Sequence, residues 1–149
     1  MKRFLKNKAN KFLLVLFFAF WFAAQPAPAQ GQLKVVIQKL RTSRGVVRVT
    51  LFTKEGDYMK NFSIAKTIPS GDGEISTYFE NLAVGEFAIT VMHDENNNGK
   101  LDSNFFGIPK EGIGFSNNAA ATFGPPSWAK AKFKWENNGK VCLIALKYF

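Results

Sequence analysis

Gly85-Glu86-Phe87-Ala88-Ile89-Thr90-Val91-Met92-His93 runs directly into Asp94-Glu95-Asn96-Asn97-Asn98-Gly99-Lys100-Leu101-Asp102. The first half has a period of two. Phe87, Ile89 and Val91 fall on one side, and Ala88, Thr90 and Met92 on the other. That is a strand, and because both faces are largely apolar it should be a central one, buried twice. The second half has oxygen-bearing side chains at Asp94, Asn96, Asn98 and Asp102, with a glycine at Gly99. A polar loop entered from a strand, not a helix, points to an all-β chain.

Upstream, the same period recurs. Gln32–Leu40 alternates Leu33, Val35 and Ile37 against Lys34, Val36 and Gln38, and Val46–Phe52 alternates Val47, Val49 and Leu51 against Arg48 and Thr50. The short glycine-ended link Arg41–Gly45 between them predicts an antiparallel hairpin. Thr53–Ser63 is irregular and polar, with room for a helical turn. Ile64–Ile68 and Glu74–Glu80 are further strands, separated by Pro69-Ser70-Gly71-Asp72-Gly73, and Asn81–Gly85 is a second glycine-closed turn.

Downstream, Asp94–Pro126 spans 33 residues without clear periodicity. Loops longer than about 15 residues are uncommon unless functional or disordered. This one carries Phe105, Phe106, Ile108, Ile113, Phe115 and Phe123, which predicts that it packs on the domain. Ser127–Ala131 suits one helical turn. Lys132–Trp135 and Lys140–Tyr148 are the last strands, joined by Asn137-Asn138-Gly139, which predicts a type I′ hairpin. About seven short strands and one long irregular loop make an antiparallel β-sandwich of immunoglobulin-like or transthyretin-like kind. A β-barrel is the structural alternative.

The Asp94 loop has the spacing of a calcium site. Calcium takes about six to eight oxygen ligands. Asp94, Asn96, Asn98, the Lys100 carbonyl and Asp102 stand where such a loop supplies them, and Gly99 where the chain must turn sharply. The place of the closing bidentate glutamate is held by Phe105, so the loop is not an EF-hand; Glu95, Asn104 and Glu111 are candidates to close the shell. With only two charges in the loop, binding should be weak, at about 0.1–1 mM. A metal-free turn held by Asn and Asp caps explains the same residues. His93 and Cys142 are the only His and Cys, too few nitrogen or sulfur ligands for zinc or copper within a monomer. Each is expected as a buried core or rim residue, and with one cysteine no internal disulfide can form.

Met1–Lys11 carries five positive charges and no acid, Phe12–Ala24 is an unbroken apolar run of 13 residues, and Ala27-Pro28-Ala29 offers a small-residue cleavage site. This predicts a secretory signal peptide over Met1–Ala29 and a single domain over 30–149, exported to the periplasm or beyond. The apolar run is short of the about 20 residues a span needs, so no membrane span is expected after cleavage. No cysteine near the site suits lipid attachment. Losing five cations takes the net charge from +9 to +4, and the remaining Lys and Arg are scattered. A nucleic-acid partner is therefore not expected.

His93-Asp94-Glu95-Asn96, Asn98-Gly99-Lys100-Leu101-Asp102, Asn104-Phe105-Phe106-Gly107-Ile108-Pro109-Lys110-Glu111-Gly112, Gly114-Phe115-Ser116-Asn117-Asn118 and Phe123-Gly124-Pro125-Pro126 closely resemble the bacterial domain-of-unknown-function family numbered 2141. Gly45–Val49 and the Asn81–Gly85 turn share in the likeness, which covers nearly all of 30–149. The resemblance implies an exported β-sandwich, usually standing alone; it does not imply an activity. Ser127-Trp128-Ala129-Lys130 departs from it, replacing a segment that is more acidic in the family.

A non-catalytic binding module fits these features, with calcium shaping an interaction loop that contains Phe105, Phe106, Lys110, Glu111, Phe115, Asn117 and Asn118. A cell-envelope protein or glycan is the expected class of partner. A purely structural domain is the alternative. A carboxylate-based hydrolase drawing on Asp94, Glu95, Asp102 or Glu111 is a weaker one, because the chain has no Gly-x-Ser-x-Gly elbow and no second histidine.

Overall fold

The computed structural model describes residues 31–149. The expected signal segment, Met1–Ala29, lies outside them. The strands are β1 (Leu33–Leu40), β2 (Val46–Phe52), β3 (Ile64–Pro69), β4 (Gly73–Phe79), β5 (Gly85–Asp94), β6 (Gly112–Phe115), β7 (Phe133–Trp135) and β8 (Val141–Ala145). One short helix, α1 (Trp128–Ala131), falls where a helical turn was expected, and a 3-10 turn at Glu55–Asp57 occupies the irregular stretch after β2. The strands form an all-β sandwich of two sheets. One is ordered β4-β1-β8; the other is ordered β3-β2-β5-β6, with β7 also on β5.

Alternation builds the core. Leu33, Val35 and Ile37 of β1 face Val47, Val49 and Leu51 of β2 and Phe87, Ile89 and Val91 of β5, with Phe79, Trp135 and Ile144 filling between. Each such side chain is worth about 1.5–3 kcal/mol when fully buried. The other face of β5 is covered as well. Ala88 packs with Phe52, Tyr58, Trp128 and Ala131, so α1 caps the outside of the sheet there and β5 is buried on both faces at Ala88, while Thr90 and Met92 further along the outer face are half-buried.

Both expected hairpins are overturned. β1 and β2 lie in different sheets: β1 pairs with β4 and β8, while β2 pairs with β3 and β5. The Arg41–Gly45 link is an arch over the sandwich edge. A hairpin would set the apolar rows of β1 and β2 side by side, whereas the arch sets them face to face across the core. Likewise β7 pairs with β5, and β8 runs parallel to β1. Asn137 and Gly139 do take the left-handed backbone that their types favour, at φ 60° and 70°. That local geometry serves an arch as well as a hairpin.

Inside the long loop, β6 escaped the sequence reading. Gly112-Ile113-Gly114-Phe115 is too short to show a period, yet it pairs with β5 from Thr90 to His93. Its glycines are steric necessities. A Cβ at Gly112 would stand 2.6 Å from the Tyr148 ring, and one at Gly114 2.6 Å from Ile144 Cγ2. The expectation that the loop's apolar residues all pack is also overturned, since Phe105, Phe106 and Phe123 are exposed while Phe115 is buried. The turn that carries Phe105 and Phe106 is closed by its own backbone bonds, so no apolar anchoring is needed to hold it.

Candidate metal turn and interaction hairpin

β5 delivers Asp94 to the sandwich edge opposite Val46. The Arg41–Gly45 arch presses on it there, where a Cβ on Gly45 (φ 75°) would run into the Asp94 carbonyl. Asp94 is fully buried. Its Oδ1 accepts the Asn98 N–H at 3.0 Å and its Oδ2 the Gly99 N–H at 2.8 Å. These bonds curl the chain, and Gly99 at φ 83° and Asn97 at φ 58° supply the left-handed turns. Asn96 Oδ1 accepts the Asn98 N–H, and Asn98 Oδ1 the Lys100 N–H. The amide nitrogens of Asn96 and Asn98 donate to the Asp102 carboxylate at 2.5 and 3.0 Å. Asp94, Asn96, Asn98 and Asp102 are thus brought together.

Of the three candidate closers, each has a different task. Glu111 is buried beneath the turn; Oε1 accepts the Glu95 N–H at 2.9 Å and Oε2 the Asp102 N–H at 3.0 Å. Glu95 turns away and forms a two-point pair with Arg41, Nε–Oε1 2.7 Å and Nη2–Oε2 3.1 Å. Arg41 also donates to the Lys110 carbonyl at 2.9 Å, and its guanidinium lies 4.3 Å from the Tyr148 ring centre. The Arg41 hydrogen bond holds the Glu95 carboxyl below its usual range. Asn104 caps the next turn, its Oδ1 accepting the Phe106 and Ile108 N–H groups at 2.9 and 3.0 Å.

That next turn is a tight hairpin. Ser103 bridges to Pro109, the Asn104 N–H reaches the Ile108 carbonyl, and the Lys110 N–H reaches the Asp102 carbonyl. Gly107 turns it at φ 77°. At its tip, Phe105 and Phe106 are 97 % and 83 % exposed and meet edge to face, with ring centres 5.6 Å apart.

The other residues of the expected interaction loop are placed elsewhere. Phe115 is in the core rim. The Asn117 amide donates to the Lys130 and Lys132 carbonyls, and Asn118 Oδ1 accepts the Ala145 N–H. These asparagines tie the loop's far end to α1 and β8. Ser116, which the sequence did not single out, is fully buried; its hydroxyl accepts the Ile89 N–H and donates to the Ala131 carbonyl.

His93 is a fully buried core residue. Its Nε2 lies 2.9 Å from both the Arg44 carbonyl and Ser70 Oγ, and its Nδ1 lies 2.8 Å from the Tyr148 hydroxyl. A carbonyl only accepts, so Nε2 carries a proton, and in the neutral ring Nδ1 accepts from Tyr148. Ser70 Oγ then donates to the Thr42 carbonyl, 3.0 Å away. A serine nucleophile needs a bare imidazole nitrogen toward its hydroxyl, and the Ser70–His93 pair is wired the other way.

In kind, the turn fits a hard cation. It offers the carboxylates of Asp94 and Asp102, the amide oxygens of Asn96 and Asn98 and the Lys100 carbonyl, all oxygen, as calcium prefers. Each Asp94 oxygen has taken one backbone N–H and keeps a second lone pair. Against this, Arg48 Nη2 already stands 4.0 Å from Asp94 Oδ2, and a fixed cation there weakens affinity for another. Among the described residues, no three His, Cys, Asp or Glu side chains converge as a metal cluster.

No curated protein matches the chain, and no solved structure does. One family model matches residues 35–142, from within β1 into β8 and across both turns. The chain belongs to that family, described as an uncharacterized protein conserved in bacteria (DUF2141).

Proposed function

We propose that this protein is an exported, non-catalytic interaction module of the bacterial cell envelope. The hairpin after Asp102 is its contact element, and calcium binds weakly in the turn that sets the hairpin's base. One observation carries this reading: Phe105 and Phe106 are almost wholly in water, on a turn whose backbone is fixed by Asn104 and the Ser103–Pro109 bridge. Large apolar groups held rigidly in solvent mark contact sites.

The test is calorimetric titration with calcium, paired with thermal melting. Binding at about 0.1–1 mM is expected, with a rise in Tm of several degrees at about 10 mM calcium. Both should vanish in Asp94→Ala. No heat and no shift would leave the hairpin on a metal-free base. That second reading has its own support in the Asn96 and Asn98 amides, which already close on Asp102.

A further inference from the structure

We propose that the Phe105–Phe106 hairpin docks on an anionic lipid surface. The two rings enter the interfacial zone, and Lys100 and Lys110 meet headgroup phosphates. This rests on the interaction-module reading and supplies its partner.

The shape of the tip favours a lipid surface over a protein or a glycan. Both rings stand almost wholly in solvent. A small cleft among the described residues lies elsewhere, between Ile113, Phe115 and Phe149. A sugar is gripped by polar groups placed beside an apolar platform, and two phenyl rings carry no hydrogen-bonding atom. Rings without a polar handle, standing free in solvent, suit a soft apolar phase that closes around them. Leu101 and Ile108 are also exposed and widen the apolar tip. Because the turn is already fixed by its own hydrogen bonds, docking need not order it.

Charge selects the kind of lipid. Lys100 and Lys110 are exposed and flank the hairpin, and neither takes part in an ion pair among the described residues. The nearby acids are less open to the surface than these lysines. Asp94 and Glu111 are buried, Glu95 is paired with Arg41, and the half-buried Asp102 keeps its charge while two neutral asparagine amides cover it. No acidic residue lies between Ser103 and Lys110. The exposed charges flanking the apolar tip are therefore the two lysines, the pattern that binds anionic bilayers.

The test is co-sedimentation of the protein, purified in the form in which the cell accumulates it, with vesicles in EDTA. One set is phosphatidylethanolamine with about 30 mol % phosphatidylglycerol, the other phosphatidylcholine alone. The protein should bind the anionic vesicles and bind the neutral ones about tenfold or more weakly. Phe105→Ser/Phe106→Ser and Lys100→Glu/Lys110→Glu should each weaken anionic binding about tenfold or more. Both should melt near the parent temperature, because all four side chains are exposed. Phe62→Ser is the control. Phe62 is exposed too, but it precedes the β3 start opposite Leu51, about 20 Å along β2 from the Asp94 end. It should bind like the parent.

Failure to bind anionic vesicles overturns the proposal, as do undiminished binding by either double variant, equal loss in Phe62→Ser, and equal affinity for neutral vesicles. Binding to delipidated envelope protein in place of vesicles would assign the tip to a protein partner and also overturn it. Because EDTA removes calcium, this outcome is separate from the calcium titration, and each can fail alone.

Discussion

Glu111 holds Asp102 by its backbone. The two stand nine positions apart in sequence, yet Glu111 Oε2 accepts the Asp102 N–H at 3.0 Å while Oε1 takes that of Glu95. One buried carboxylate therefore clamps both ends of the polar turn, and β6, which begins at the next residue, anchors the clamp to β5. Glu111→Ala would strand two N–H groups and should cost about 3 kcal/mol in urea unfolding. Glu111→Gln, which keeps one acceptor but turns an amide N–H toward a backbone donor, should lose about half of that. Wild-type stability in Glu111→Gln would show that the clamp does not depend on charge.

Gly45 is predicted to be the least replaceable residue of the arch. Alanine there would have to hold a left-handed backbone while its Cβ met the Asp94 carbonyl. A loss of about 3 kcal/mol or more is expected, read as a lowered urea midpoint or as failure to accumulate folded protein.

Tyr148→Phe removes the donor to His93 Nδ1 and the acceptor of the Arg41 N–H. The cost should be about 1–2 kcal/mol, which lowers Tm by about 4–8 °C. An unchanged Tm would mean that the hydroxyl adds nothing to the buried His93 network.

Acid should weaken the fold through Glu95. Its carboxyl lies below the ordinary value of 4.5 because Arg41 hydrogen-bonds it, with further Arg41, His93 and Arg44 charge effects acting against desolvation. A carboxyl depressed in the folded state contributes stability that is complete above the unfolded value and is lost as pH falls through the folded one. The urea midpoint should therefore drop as pH falls from about 5 toward 3. Arg41→Met should flatten that drop while lowering the midpoint at neutral pH.

Cys142 should be inert in the native protein. Burial pushes its thiol up to about 11. At about pH 8, where ordinary thiols react readily, a disulfide reagent should modify it only as fast as the protein opens. Rapid labelling of folded protein would contradict its packing between the sheets.

Much of the sandwich was legible, because alternation depends only on which side chains avoid water. β1, β2 and β5 show their inner rows openly, and the cover over Ala88 on the outer face of β5 follows from apolar residues on both faces. The polar turn was legible too, since Asp, Asn and Gly at that spacing curl a backbone whether or not a metal arrives. β6 was not, because four residues, two of them glycine, have no period to read. Arg41 and Tyr148 were missed because their partners, Glu95 and His93, lie 54 and 55 residues away.

By itself, then, the sequence determined which segments extend, which faces are apolar and where the chain turns, all matters of local sterics and solvent avoidance. The tertiary structure alone decided which strands pair. Arg41–Gly45 and Asn137–Gly139 suit an arch as well as a hairpin, and only closing a shared core chooses between them. It also decided which phenylalanines go inside. Phe115 is buried because β6 pairs with β5 and carries it to the core rim, while Phe105 and Phe106 stay in water because hydrogen bonds within their own turn hold them out.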